Sequence, residues 1–109
     1  MRNIINPLVR EMVFIHVSRI VHSNEPKQSK VDFIAAHFDW TVFGVVPVYQ
    51  TKNGYLLTDG NHRVEAAKAK GFEWIPCIVL CKAEFDRIKF SKHTADVIFK
   101  VPENPKYIK

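Results

Sequence analysis

The stretch that most constrains this chain is "TKNGYLLTDGNHRVEAAKAKG", residues 51–71. Asn53-Gly54 is a strong two-residue hairpin signal, so "FGVVPVYQ" before it and "YLLTD" after it read as paired strands. The second strand delivers Asp59 at its end, and a helix follows at once. Gly71 stops that helix, because it can take the left-handed position past a helix C-terminus. A hairpin feeding straight into a helix places the chain in the class that mixes strands with helices.

The flanking sequence fits that class. "MVFIHVSRIV", residues 12–21, is β-branched and aromatic enough for one strand, and "HSNEPKQSK" interrupts it as a loop around Pro26. Val31, Ile34, Ala35 and Phe38 fall at helical spacing over residues 30–38, with Ser29 as the expected cap and Asp32 three positions on. "WIPCIVL" reads as a further strand whose Pro76 predicts an edge or entry position. Residues 83–90 predict a helix, "TADVIFKV" a last strand, and "PENPKYIK" a loose tail.

Composition narrows the function classes. With 47% hydrophobic and 25% charged residues in 109, the chain reads as one globular domain, residues 1–109, with a modest core. No apolar run approaches the roughly 20 residues of a bilayer span, so no membrane partner is expected. Glu11 and the lack of a small-residue cleavage site argue against a signal peptide. Two cysteines without an export signal point to a reducing, cytoplasmic setting. The formal charge of +5 favours anionic partners such as nucleotides or nucleic acid, although a solvated basic surface explains it equally well.

The chemistry concentrates at Asp59, Gly60, Asn61, His62 and Arg63. The first N–H groups of a helix have no intrahelical partner and carry the positive end of its dipole, which makes an anion site. Gly60 permits a sharp turn or close ligand approach. Asn61 can cap the helix, His62 can donate or shuttle a proton, and Arg63 can hold two phosphate oxygens. Asp59 can hold a metal ion, accept a hydroxyl proton, or orient the arginine. A purely structural row is the competing reading, with Asn61 as cap and Arg63 paired to Asp59 or Glu65.

"GYLLTDGNHRVEAAKAKGFEWIPCIVL", with "FIHVSRI", "KVDFIAAHFDW" and "VVPVYQTKNG" upstream, resembles the ParB/sulfiredoxin-like superfamily, in particular its ParB-like nuclease-domain branch. The likeness covers about residues 12–82 and leaves 83–109 as a C-terminal extension. It implies a stand-alone α/β (α+β) core domain, a small mixed sheet flanked by helices, that binds nucleotide phosphates at this turn. ParB partition proteins contact CTP through Gly-Glu-Arg-Arg; Gly60 and Arg63 match, while Asn61 and His62 replace the middle pair. Sulfiredoxin carries Gly-Cys-His-Arg, and Asn61 stands where the reactive cysteine belongs, so sulfiredoxin chemistry is not expected. Free serine kinases carry an Asp-Gly-His-Thr-Arg-like run, which implies phosphoryl transfer with Asp59 and Glu25 as acidic candidates.

Two function classes stay open. The first is a nucleotide-dependent enzyme, either a nuclease or an NTPase/kinase-like phosphotransferase. It would use Asp59 and His62 on a nucleoside di- or triphosphate bound by Gly60, Asn61, His62 and Arg63, with Mg²⁺ as companion ion. The second is a non-catalytic DNA-binding or protein-interaction module of phage or mobile-element origin. Partition proteins continue past this core with a helix-turn-helix and a dimerisation region that nothing in residues 83–109 matches.

Weaker signals have plainer readings. Cys77 and Cys81 predict two buried structural thiols on one strand face, and no metal site, since no histidine stands at ligand spacing. Phe38, Trp40 and Phe43 predict a core plug beneath the hairpin, with a base-stacking platform as the alternative.

Overall fold

The computed structural model describes residues 8–58, 60–91 and 97–109. The strands are β1 (Leu8–Glu11), β2 (Val13–His16), β3 (Ile20–Val21), β4 (Val46–Thr51), β5 (Gly54–Leu57), β6 (Trp74–Leu80), β7 (Val97–Lys100) and β8 (Tyr107–Ile108). The helices are α1 (Gln28–Ala36), α2 (Trp40–Phe43), α3 (Asn61–Ala69) and α4 (Lys82–Ser91). One mixed sheet runs β3-β5-β4-β6-β2-β8, and β1 pairs with β7 in a parallel two-stranded ribbon.

The predicted first strand is broken. A 3-10 turn at Val17–Arg19 carries the chain from β2, near one edge of the sheet, to β3 at the other. The sheet therefore curls until its two edges meet at Arg19. Arg19 lies over the Tyr55 ring of β5 at 5.8 Å, and its Nη1 donates to the Lys109 carbonyl beyond β8 at 3.3 Å. Gly54 sits at this seam: a Cβ there would meet the Arg19 carbonyl at 2.5 Å. The hairpin pairs Thr51 with Gly54, so its turn is Lys52-Asn53, one residue earlier than expected.

Side chains alternate across the sheet, and its concave face holds the main core. Ile15, Val46, Val48, Leu57, Ile75 and Cys77 are fully buried there against Val64 and Ala67 of α3. On the convex face, α4 sets Phe85 over Ile78 and Leu80, beside Tyr49 and Leu56.

Pro76 is not at an edge, because β6 lies between β4 and β2. The Phe14 N–H donates away from β6, to the Lys106 carbonyl, so Phe14 and Pro76 form a pair without ladder hydrogen bonds. The missing Pro76 N–H thus faces the β4 side, where pairing begins only at Val46 opposite Cys77. The helix over 28–36 is capped by Lys27 with no side-chain bond, and Ser29 lies inside it, so the expected Ser29 cap is wrong. The "loose tail" is also corrected. Tyr107–Ile108 adds a parallel strand to β2, and Ile108 packs on the core.

Candidate functional site

The turn before α3 forms because the chain must leave β5 over the buried end of β4. Thr58 N–H donates to the Pro47 carbonyl at 3.3 Å, which holds the strand end down. Gly60 then adopts φ 88°, ψ 17°, a left-handed conformation that glycine takes without steric penalty. Space requires glycine as well: a Cβ would lie 2.9 Å from Val46 Cγ1 and 3.0 Å from Arg63 Nη2. The Gly60 carbonyl accepts from the Val64 N–H at 2.9 Å and starts the helical ladder.

Asn61 does not cap this helix. It is buried, and its Oδ1 accepts from the Ser23 N–H at 3.0 Å and the Asn24 N–H at 3.5 Å. Its Nδ2 donates to Ser23 Oγ at 3.1 Å, and His22 Nδ1 lies 3.0 Å from its Oδ1. The other His22 nitrogen meets Glu65 Oε2 at 3.0 Å. His22 thus bridges two positions one helical turn apart on α3, and the loop of residues 22–24 is latched across the helix start. Glu65 is the second half of that latch and also lies 3.5 Å from Lys68 Nζ.

Arg63 folds back over the turn. Its Nη1 donates to the Phe43 carbonyl at 2.6 Å, and its guanidinium lies 5.8 Å from the Phe43 ring centroid. Phe43 ends α2, which Asp39 starts by accepting from the Thr41 N–H and hydroxyl. Those two bonds hold the Asp39 carboxyl below its ordinary range. Beside Arg63, a cleft of about 190 Å³ is lined by Ile34, His37, Phe38, Asp39 and Phe43. That is smaller than the ~300–1,000 Å³ of typical ligand pockets, so it admits part of a nucleotide at most.

Two polar atoms at the turn lack what buried polar atoms normally have. Thr58 Oγ1 and His62 Nε2 are both buried, and among the described residues neither has a hydrogen-bond partner. An unsatisfied buried polar group costs about 1–3 kcal/mol, so such atoms commonly mark a missing ligand or water.

The fold has counterparts among solved structures. The C-terminally truncated chromosome-partitioning protein ParB from Caulobacter crescentus, complexed with CTP-γ-S, superposes with a TM-score of 0.57 at 14% identity. The match covers 77% of this chain and 53% of that one. Sulfiredoxin from Arabidopsis thaliana gives 0.53 at 19% identity, over 70% of this chain and 93% of the other. A free serine kinase in complex with AMP gives 0.55 at 18%, over 70% and 34%. The chain has the ParB/sulfiredoxin-like fold. No family model and no curated protein matches its sequence.

Within this ParB/sulfiredoxin-like fold, the chain spans about half of the partition protein and about a third of the kinase. Gly60, Asn61, His62 and Arg63 are brought together at the start of α3, while Asp59 lies outside the described residues. Glu25 is exposed just beyond the latched loop. Sequence reasoning missed His22, Ser23 and the Phe43 carbonyl, whose partners are distant along the chain, and Thr58, whose buried hydroxyl no local pattern marks. Among the described residues, no group of three or more His, Cys, Asp or Glu is arranged to hold a metal. None of their helices is long and apolar enough to cross a membrane. Cys77 is buried, which pushes its thiol well up, but Cys81 lies past the end of β6 and is exposed, against expectation.

Proposed function

We propose that the chain binds the phosphates of a nucleoside di- or triphosphate at the Gly60–Arg63 turn. The observation that carries this reading is the pair of buried atoms, Thr58 Oγ1 and His62 Nε2, unpartnered among the described residues, beside a left-handed glycine that opens a helix. A hydroxyl and an imidazole N–H both donate to phosphate oxygen. The unpaired backbone donors and dipole at a helix start reinforce them. Arg63, held by the Phe43 carbonyl, keeps its charge in contact with Gly60. The CTP-γ-S of the partition-protein complex and the ADP of a free serine kinase complex support the same ligand class here.

For turnover, Asp59 is the proposed base or Mg²⁺ ligand and His62 the proton carrier. Catalysis would rest on positioning and charge stabilisation, as in other phosphoryl transfers. The second reading, a non-catalytic module, is favoured by the internal bonds of Asn61 and Arg63, which give the row a structural job.

Calorimetric titration with CTP, ATP, ADP and AMP, with and without Mg²⁺, tests the binding. Arg63→Ala should weaken it by about 1.5–3 kcal/mol, the scale of a charged hydrogen bond. Equal affinity in wild type and variant would sink the proposal. Asp59→Asn should keep affinity within a few-fold and lower product formation about 10²-fold or more if the carboxylate is the base. Binding by wild type without any product decides for the module.

A further inference from the structure

The 22–24 loop rests on α3 through hydrogen bonds more than through burial. Ser23, Asn24 and the following Glu25 are exposed. Among the described residues, each hydrogen bond from residues 22–24 to α3 ends on Asn61 or Glu65. A segment held this way opens at low free-energy cost, so the groups that make those bonds decide whether it stays down. His22 makes two of them, one with each ring nitrogen.

Both of its partners are acceptors. The backbone sets the orientation of the buried Asn61 amide, because Oδ1 receives the Ser23 N–H at 3.0 Å and the Asn24 N–H at 3.5 Å. Turned over, the amide would set its NH₂ group against two N–H donors. Oδ1 therefore also faces His22 Nδ1, at 3.0 Å, and Nδ1 donates. Nε2 lies 3.0 Å from Glu65 Oε2, which Lys68 Nζ approaches at 3.5 Å. That oxygen presents lone pairs to both, so Nε2 donates too. A neutral imidazole has one N–H and an imidazolium has two. The geometry is that of an imidazolium. The ring is 25% exposed, which leaves its proton a path to solvent. The other ionisable groups on the surrounding elements are His62 on α3, Tyr55 on β5, exposed Glu25 and Lys27 in the loop, and exposed Lys30 and Asp32 on α1.

We infer that His22 is a proton-operated latch. As an imidazolium it clasps Asn61 and Glu65 and holds the loop across the start of α3. On losing one ring proton to solvent it lets the loop go, because a bare ring nitrogen then faces either the Asn61 oxygen or the Glu65 carboxylate, lone pair against lone pair. The closed loop thus holds one proton more than the released one. Closure is favoured as pH falls and lost as pH rises through the titration of the ring. The latch works with or without a nucleotide at the Gly60–Arg63 turn.

Amide hydrogen exchange of the full chain without nucleotide, from about pH 5 to about pH 9, spans the titration of an imidazole and tests the latch. The protection factors of the Ser23 and Asn24 amides should fall as pH rises, by about tenfold per pH unit at most for one proton. The ring nitrogens of His22, followed by ¹⁵N NMR in the same samples, should both carry protons wherever those amides are protected. His22→Ala should leave the loop unprotected throughout, while the Val64 amide, bonded to the Gly60 carbonyl, keeps its protection. Glu65→Gln should keep the loop protected across the whole span, since a carboxamide offers its oxygen to the imidazolium and its NH₂ to the neutral ring. Wild-type protection that ignores pH overturns the inference. So does a singly protonated ring in the closed loop, or an undiminished pH response in Glu65→Gln.

Discussion

Two glycines with nearly the same backbone angle separate conformational strain from close approach. Gly60 has φ 88° and Gly71 has φ 87°, but only Gly60 is crowded, by Val46 and Arg63, whereas nothing lies within 4 Å of the Cβ position at Gly71. Gly71→Ala should therefore cost only the left-handed penalty, about 1 kcal/mol. Gly60→Ala adds a clash with a buried valine and displaces the Arg63 guanidinium, so it should cost at least about 2 kcal/mol and weaken nucleotide binding too. Urea denaturation of both variants measures the difference, and equal losses would show that the Gly60 contacts carry no weight. Asn61 teaches a related lesson. As a residue type it suits a cap, yet a left-handed glycine already opens the helix and Asn61 is buried against the 22–24 loop.

At the scale of elements, the last strand matters out of proportion to its length. Tyr107–Ile108 extends the sheet beyond β2, brings Ile108 onto the core, and places Tyr107 against Phe14 and Trp74. Ile108→Ala should lower stability by about 1–2 kcal/mol, less than the ~2–5 of a fully buried isoleucine because this one is half-buried. Thermal melting checks it, and an unchanged midpoint would mean that β8 is held by its backbone bonds alone. The α2 helix is the other short element with reach. Its Phe43 carbonyl anchors Arg63, while Trp40, Thr41 and Gly44 wall an open groove on the convex face. The structure divides the 38–43 aromatics expected to plug the core: Phe43 is buried, Phe38 packs at the core margin, and Trp40 is 38% exposed.

At the scale of the whole molecule, the sheet separates the turn at Gly60 from its far edge. α3 packs through Val64 and Ala67 on the concave core, and Phe14, Trp74 and Tyr107 lie on the convex face. Well-separated positions add within about 0.5 kcal/mol. The double variant Gly60→Ala/Ile108→Ala should therefore lose stability by about the sum of its single changes. A larger coupling in a double-mutant cycle would show that the sheet transmits strain between them. Local rules determined much of this protein from sequence alone. The Asn53-Gly54 hairpin signal marked β4 and β5, helical spacing marked α1, and the Asp59–Arg63 row marked the turn, because each is set by residues within a few positions. Tertiary structure decided the rest. The break at Val17–Arg19 answers the curl of a sheet whose ends must meet. Pro76 is tolerated inside the sheet because β4 starts one residue later. Asn61, Glu65 and Arg63 take their partners from residues 20 to 43 positions away. Such partners are chosen by burial and packing, which no local pattern records.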